Sequence, residues 1–208
     1  MSYLTLAIGS GRTANHALKL LEKAGIEFPD FHNKSRKLVI FDKENAIKLI
    51  FVKAVDLPTY VEKGAADIGI IGKDTIMETQ PDVYELVDLN IGNCKIVVAG
   101  FANQNYKNAK SLTIASKYPE ITKTFFEEKG LRIEIIKLNG SIEIAPLIGM
   151  SDIIVDIVET GTTLKQNGLI VLDEIADVSA RLIVNKASYA TKTSQIQQFI
   201  NELKAVLE

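Results

Sequence analysis

The sequence predicts an α/β fold built as two similar lobes, and three observations carry that expectation. Short β-rich runs alternate with amphipathic stretches along nearly the whole chain, the pattern of a sheet that is mostly parallel and buried on both faces. The order of those runs repeats once inside the chain. An acidic strand end at residues 152–164 then enters a Thr-Gly-Thr-Thr turn, which puts polar groups where open α/β sheets bind ligands.

Taken in order, the expected strands cover residues 3–8, 37–42, 47–53, 67–71, 84–89, 93–99, 112–115, 132–138, 152–158 and 181–185. Between the first two, Ala14, Ala17, Leu18, Leu21 and Ala24 recur at helical spacing, with Gly25 where a helix ends in a left-handed residue. Asp56 is expected to cap a short helix with Pro58 in its first turn and Gly64 after its last. Tyr60 on that helix reads as core, and residues 103–108 read as a polar surface loop. Ile196, Phe199, Ile200, Leu203 and Leu207 make one apolar face behind a Thr193/Ser194 cap, which predicts a docked closing helix.

The internal echo decides the lobes. Leu4-Thr-Leu-Ala7, followed by a helix ending at Gly25, is answered by Leu112-Thr-Ile-Ala115 and a stretch ending Phe-Phe-Glu-Glu-Lys-Gly130. Phe51-Val-Lys53, a short helix, Gly64 and Asp67-Ile-Gly-Ile-Ile71 are answered in the same order by Ile135-Ile-Lys137, a short helix, Gly149 and Asp152-Ile-Ile-Val155. Two lobes with a ligand cleft between them are implied. Residues 1–92 with 178–208 are expected to form lobe I, and residues 93–177 an inserted lobe II.

Composition narrows the function. The 208 residues carry 24 Lys plus Arg against 26 Asp plus Glu, a net charge of −2, so no bulk positive field draws nucleic acid or an anionic membrane. Cys94 alone makes no internal disulfide, and with only His16 and His32 beside it no His/Cys zinc cluster forms. Cys94 reads as a structural cysteine and His16 as a solvent-facing or helix-packed residue. The first residues lack a basic region and a cleavage pattern, and the longest apolar run, residues 96–102, is too short to cross a bilayer. The cytoplasm is the expected compartment.

The strongest chemical signal is Asp152-Ile-Ile-Val-Asp156-Ile-Val-Glu159-Thr160-Gly161-Thr162-Thr163-Leu164. A strand delivers acids to its C-terminal end, Gly161 turns the backbone sharply, and helix-entry amides with three hydroxyls suit a phosphate monoester. Asp156 and Glu159 would repel bare phosphate, so their use lies on ribose hydroxyls or on magnesium accompanying a polyphosphate. The competing reading of the same residues is an ordinary capping turn. After the first strand, Gly9-Ser10-Gly11-Arg12-Thr13 holds a guanidinium over a strand end, and Arg36 and Lys53 are candidates to join it. It lacks the Walker lysine, and no G-x-S-x-G nucleophile elbow surrounds Ser10.

These residues resemble the short form of the ATP phosphoribosyltransferase family, which opens histidine biosynthesis. The segments that carry the resemblance are Gly11-Arg12, Ser35-Arg36-Lys37-Leu38, residues 56–62, residues 64–74, residues 83–89, Lys137-Leu-Asn-Gly-Ser141, Ala145-Pro146, the 152–164 loop, Asn167-Gly168-Leu169 and residues 180–185, in order along nearly the whole chain. The resemblance implies a fold like a type II periplasmic binding protein. It implies attack of the ATP adenine N1 on C1 of phosphoribosyl pyrophosphate, with release of pyrophosphate and with Mg2+ as cofactor. Carried over by position, Arg12 and Arg36 meet the departing pyrophosphate and the ATP phosphates as catalytic residues, with Gly11 and Lys53 binding substrate beside them. Glu159, Thr160, Gly161, Thr162, Thr163 and Leu164 hold the 5′-phosphate, and Asp156 lies near the ribose. The chain departs from the common pattern at Gly9-Ser10, where the family more often has Pro-Lys, and at Lys53, a frequent Arg. The resemblance also implies a catalytic-subunit dimer joined into a hetero-oligomer by a regulatory subunit similar to a histidyl-tRNA synthetase, because long-form relatives continue into a regulatory domain and this chain stops at Glu208. Two rivals stay open: a solute-binding module of the same fold, and a phosphoribosyltransferase acting on another base.

Overall fold

The computed structural model describes residues 3–9, 12–31, 37–44 and 46–207, without the side chains of Arg12 and Thr13. In chain order the elements are β1 (Leu4–Gly9), α1 (Arg12–Lys23), β2 (Val39–Phe41), β3 (Ile47–Val52), α2 (Leu57–Glu62), β4 (Ile68–Gly72), α3 (Lys73–Thr79) and β5 (Tyr84–Asp88). There follow β6 (Cys94–Gly100), a 3-10 turn (Tyr106–Asn108), β7 (Leu112–Ser116), α4 (Pro119–Glu128), β8 (Ile133–Lys137), α5 (Ile144–Leu147), β9 (Ile153–Val158), α6 (Thr162–Gln166) and β10 (Ile170–Val178). The chain closes with β11 (Ala180–Val184), α7 (Lys186–Thr191) and α8 (Thr193–Lys204).

These elements form two compact units, Met1–Gly92 with Ser179–Glu208, and Asn93–Val178. The second crossing therefore falls one residue later than the expected 177/178 boundary, because Val178 still pairs with Cys94 at the end of β10.

The first unit holds a six-stranded sheet in the order β2-β3-β1-β4-β11-β5, and the second a five-stranded sheet in the order β10-β6-β9-β7-β8. Each contains one parallel trio, β3-β1-β4 and β8-β7-β9. All other pairings are antiparallel, so both sheets are mixed rather than mostly parallel. The reason is visible at β2 and β3: a five-residue connection without a crossover helix can only return the chain antiparallel. The echo corresponds to the two trios, with β7 in the place of β1, β8 of β3 and β9 of β4.

In the first unit Leu6, Ile8, Leu21, Ile196, Phe199 and Leu203 share one cluster, so α1 and α8 cover one face of the sheet. Ala7, Leu57, Val61, Ile71 and Ile183 make a second cluster with α2 on the other face. Covered on both sides, β1 is buried at every residue. Gly69 permits the close approach of α2, since a Cβ there would lie 2.7 Å from Leu57 Cδ2 and 2.8 Å from Val61 Cγ2.

Several local expectations change. Strand β10 was not anticipated: its sequence, Ile-Val-Leu-Asp-Glu-Ile-Ala-Asp-Val, lies on a sheet edge and carries two register shifts that break the alternation. Neither Asp56 nor Thr193/Ser194 makes a side-chain cap; Thr193 instead donates its hydroxyl back to the Tyr189 carbonyl at 2.7 Å. Tyr60 is exposed rather than core, because the face of α2 that carries Leu57 and Val61 is the buried one. The 103–108 loop holds the buried Tyr106, whose hydroxyl donates to Asp173 at 2.8 Å and whose ring packs edge-on against Phe126. Cys94 is half-buried at the start of β6, and His16 is exposed on α1.

Candidate functional site

Because β7, β8 and β9 run parallel, their C-terminal ends share one edge of the second unit's sheet, where successive turns present side chains and free amides. Strand β9 is buried as far as Val155 and opens at Asp156, so the acid stands at the transition from core to edge. Glu159 and Thr160 follow, both exposed. Gly161 then takes a left-handed φ of +73°, with Val158 Cγ1 the nearest atom to a built Cβ at 3.8 Å. Backbone conformation, rather than lack of space, calls for glycine there.

Beyond Gly161 the chain enters α6, whose first intrahelical bond runs from the Lys165 N–H to the Gly161 carbonyl at 3.0 Å. The amides of Thr162, Thr163 and Leu164 precede that bond and have no helical acceptor. That of Thr162 reaches Thr160 Oγ1 at a stretched 3.4 Å, and the hydroxyls of Thr160 and Thr162 lie 3.0 Å apart. Thr163 is exposed and its carbonyl accepts from the Asn167 side chain at 2.9 Å. Exposed hydroxyls and amides on a turn that only glycine forms without strain are suited to a compact anion.

Burial pushes the Asp156 carboxyl up to about 6. The Ile157 N–H, donated to Asp156 Oδ1 at 2.8 Å, opposes the rise, Glu143 adds to it by like-charge repulsion, and Lys117 opposes it. Glu143 sits at the N-terminal boundary of α5, at the end of the turn that leaves β8, and Lys117 directly follows β7. The turns after β7 and β8 therefore supply the charged groups around Asp156, and β9 itself supplies the Ile157 N–H. The sequence reading missed Glu143 and Lys117, since no spacing rule joins residues on separate strands; Glu143 stood only two residues beyond the Lys137–Ser141 segment.

Of the residues expected to act, Asp156, Glu159, Thr160, Gly161, Thr162 and Thr163 are brought together on this one turn. The Leu164 side chain is 4% exposed and packs in the second unit's core, so what Leu164 presents at this turn is its backbone. In the first unit Lys53 is exposed directly after β3, and β3 pairs in parallel with β1 through Gly9 and Val52. Lys53 and the start of α1 at Arg12 thus occupy the same edge of that sheet. Gly11, Arg36 and the side chain of Arg12 lie outside the described residues.

A family model described as HisG: ATP phosphoribosyltransferase matches residues 53–205. The chain belongs to the ATP phosphoribosyltransferase family. Relatives named ATP phosphoribosyltransferase include one from Oceanobacillus iheyensis, 49% identical over 207 residues and spanning all of both chains. Another, from Clostridioides difficile, is 52% identical over 201 residues and covers 96% of each. Full-length matches of this size, together with a Thermotoga maritima structure titled as the HisG:HisZ complex, place the chain with the short form of the ATP phosphoribosyltransferases. That structure agrees with a TM-score of 0.86 at 35% identity and covers 98% of both chains. The Escherichia coli periplasmic aliphatic sulphonate binding protein SsuA agrees with a TM-score of 0.64 at 16% identity, covering all of this chain and 69% of its own. At that identity the likeness shows the fold alone: two lobes of the periplasmic-binding-protein type.

Proposed function

We infer that the chain transfers the phosphoribosyl group of phosphoribosyl pyrophosphate to N1 of the ATP adenine, releasing pyrophosphate in the first step of histidine biosynthesis. The observation that carries the reading at residue level is the pairing of Asp156 with the Thr160–Thr163 turn at one strand end. The turn offers amides and hydroxyls to the 5′-phosphate, while the carboxyl offers an acceptor to ribose hydroxyls. Glu143 and Asp156 also put negative charge beside a sugar ring that turns cationic as its bond to pyrophosphate breaks, and Lys117 tempers that charge. Family resemblance assigns Arg12 and Arg36, with Gly11 and Lys53, to the departing pyrophosphate and the ATP phosphates. Fixed guanidiniums there stabilise charge that builds only as the leaving group departs. No covalent intermediate is required.

Magnesium enters this reading as a companion of the polyphosphates. Asp156 near the end of β9 and Glu159 just beyond it, the first with its charged form disfavoured by burial, suit contact with a substrate-borne ion better than a resident one. No step is routed through it. The Thermotoga maritima structure supports a hetero-oligomer with a regulatory subunit; the reading takes that partner as histidyl-tRNA-synthetase-like and adds a catalytic dimer and a cytoplasmic setting.

The test is to mix the purified chain, with and without the regulatory subunit, with magnesium, ATP and phosphoribosyl pyrophosphate and to follow phosphoribosyl-ATP. Product in the complete mixture supports the reading. Ribosylation of a different base, or binding of phosphoribosyl pyrophosphate without turnover in every mixture, overturns it.

A further inference from the structure

Helix α1 presents two different sides. Its apolar side packs on the first unit's sheet, while His16, Lys19 and Lys23 follow one another at spacings of three and four residues, which sets them in one row on the helix surface. All three are exposed. Between that row and the segment that leaves β5 lies a groove of about 300 Å³, lined by His16, Lys19, Leu20 and Lys23 on one side and by Ile91 and Gly92 on the other. Leu20 is 6% exposed and Ile91 is half-buried against the same core, so the groove has an apolar floor and a basic rim.

Among the described residues none of these three basic side chains pairs with a carboxylate, whereas Lys37, Lys43, Lys63, Lys73 and Lys186 of the same unit each do. The chain as a whole is slightly acidic, at −2, so the row is a local feature and not part of a general positive surface. An apolar floor bordered by unpaired cations complements an acidic segment that also carries an apolar side chain. Seven helical steps from His16 to Lys23 make the row roughly 10 Å long, a span that three or four residues of an extended segment cover. Position adds to charge. Ile91 and Gly92 are the last residues before the chain enters the second unit, and the Ile91 carbonyl accepts at 2.9 Å the N–H of Ala180, on the strand by which the chain returns. An occupant of the groove therefore bears on both passages of the chain between its units, a place suited to a partner that regulates. We propose that the groove is a docking site for the regulatory subunit, which sets an apolar side chain over Leu20 and Ile91 and flanking carboxylates against His16, Lys19 and Lys23. The inference rests on the hetero-oligomer of the preceding reading.

The experiment uses the full chain with its regulatory subunit. A carbodiimide, which joins an ammonium directly to a carboxylate, is applied to the complex, and the linked peptides are identified by mass spectrometry. Lys19 or Lys23 should be found joined to an aspartate or glutamate of the regulatory subunit. In parallel, calorimetric titration measures the affinity of that subunit for wild type, for Lys19→Glu/Lys23→Glu, for the milder Lys19→Gln/Lys23→Gln and for a control outside the groove, Lys63→Glu. Charge reversal should weaken binding at least about tenfold and neutralisation about threefold, both losses shrinking at high salt, while Lys63→Glu binds like wild type. A wild-type complex whose affinity the double reversal leaves unchanged overturns the proposal. So does a complex in which Lys19 and Lys23 link to no carboxylate of the regulatory subunit, including one in which they link only to a second copy of the catalytic chain. If the reversed chain fails to fold, the neutral variant decides by the same criterion. Wild type that binds no regulatory subunit at any salt overturns the hetero-oligomer and this inference together, an outcome distinct from an intact complex indifferent to the variants.

Discussion

Asp67 Oδ2 accepts the backbone N–H of Thr5 at 2.7 Å, and the Asp67 N–H returns a bond to the Thr5 carbonyl at 2.9 Å. Asp152 and Thr113 repeat both bonds, each at 2.8 Å. The braces differ in depth. Asp67 is buried and also accepts from Ser188 Oγ and Lys192 Nζ, each at 2.7 Å, which ties β1 to the two closing helices, whereas Asp152 is exposed.

Asp67→Ala should therefore destabilise the chain by about 3 kcal/mol, since it strands a half-buried ammonium, a buried hydroxyl and a buried amide. Asp152→Ala should cost no more than about 1 kcal/mol. Urea unfolding of the two variants measures the difference, and equal losses would contradict the distinction.

The pH behaviour of Asp156 follows from its raised carboxyl. Its value in the folded chain, about 6, lies above the ordinary 3.8, so the group favours the folded state at low pH and that benefit is lost as pH rises through about 6. The full shift corresponds to about 3 kcal/mol, and residual solvent access lowers this to about 1–2 kcal/mol. Asp156→Asn is expected to be more stable than wild type at pH 8 and equal to it near pH 4, while losing activity. Thermal unfolding across that range, in the absence of substrate, tests the crossing.

The turn after β9 should separate binding from stability. Gly161→Ala forces a side chain into a φ of +73° and is expected to cost about 1 kcal/mol in folding, yet raise KM for phosphoribosyl pyrophosphate at least about tenfold. Thr162→Val, which keeps shape and removes the hydroxyl, should raise the same KM with little change for ATP. Arg12→Ala should instead lower kcat. Unchanged kinetics in Thr162→Val and Arg12→Ala together would overturn the site assignment.

Phe199 on α8 is 2% exposed and packs in the same cluster as β1 and α1. Phe199→Ala should lower stability by about 3 kcal/mol, read as a reduced urea midpoint. A midpoint within error of wild type would mean that α8 contributes little to the core of the first unit.

Much of this was legible because its causes are local or periodic. The apolar face of α8, the left-handed Gly25 and the acidic end of β9 each follow from a few neighbouring residues. Strand β10 escaped because two register shifts and its edge acids hide the alternation, and Tyr106 escaped because a polar stretch conceals one aromatic anchor.

From sequence alone came the repeated α/β plan, the family resemblance and the Asp156–Thr163 turn, all properties of residues adjacent in the chain or spaced by a fixed period. Only the tertiary structure decided that both sheets are mixed, that Leu164 belongs to the core, and that Glu143 and Lys117 act on Asp156. The physical reason is that strand order and desolvation arise between segments far apart in sequence. The repeat itself shows the division: the two units share one written pattern, yet it takes the register of β7 against β9 to show that Ser116 stands where the first unit has Ile8.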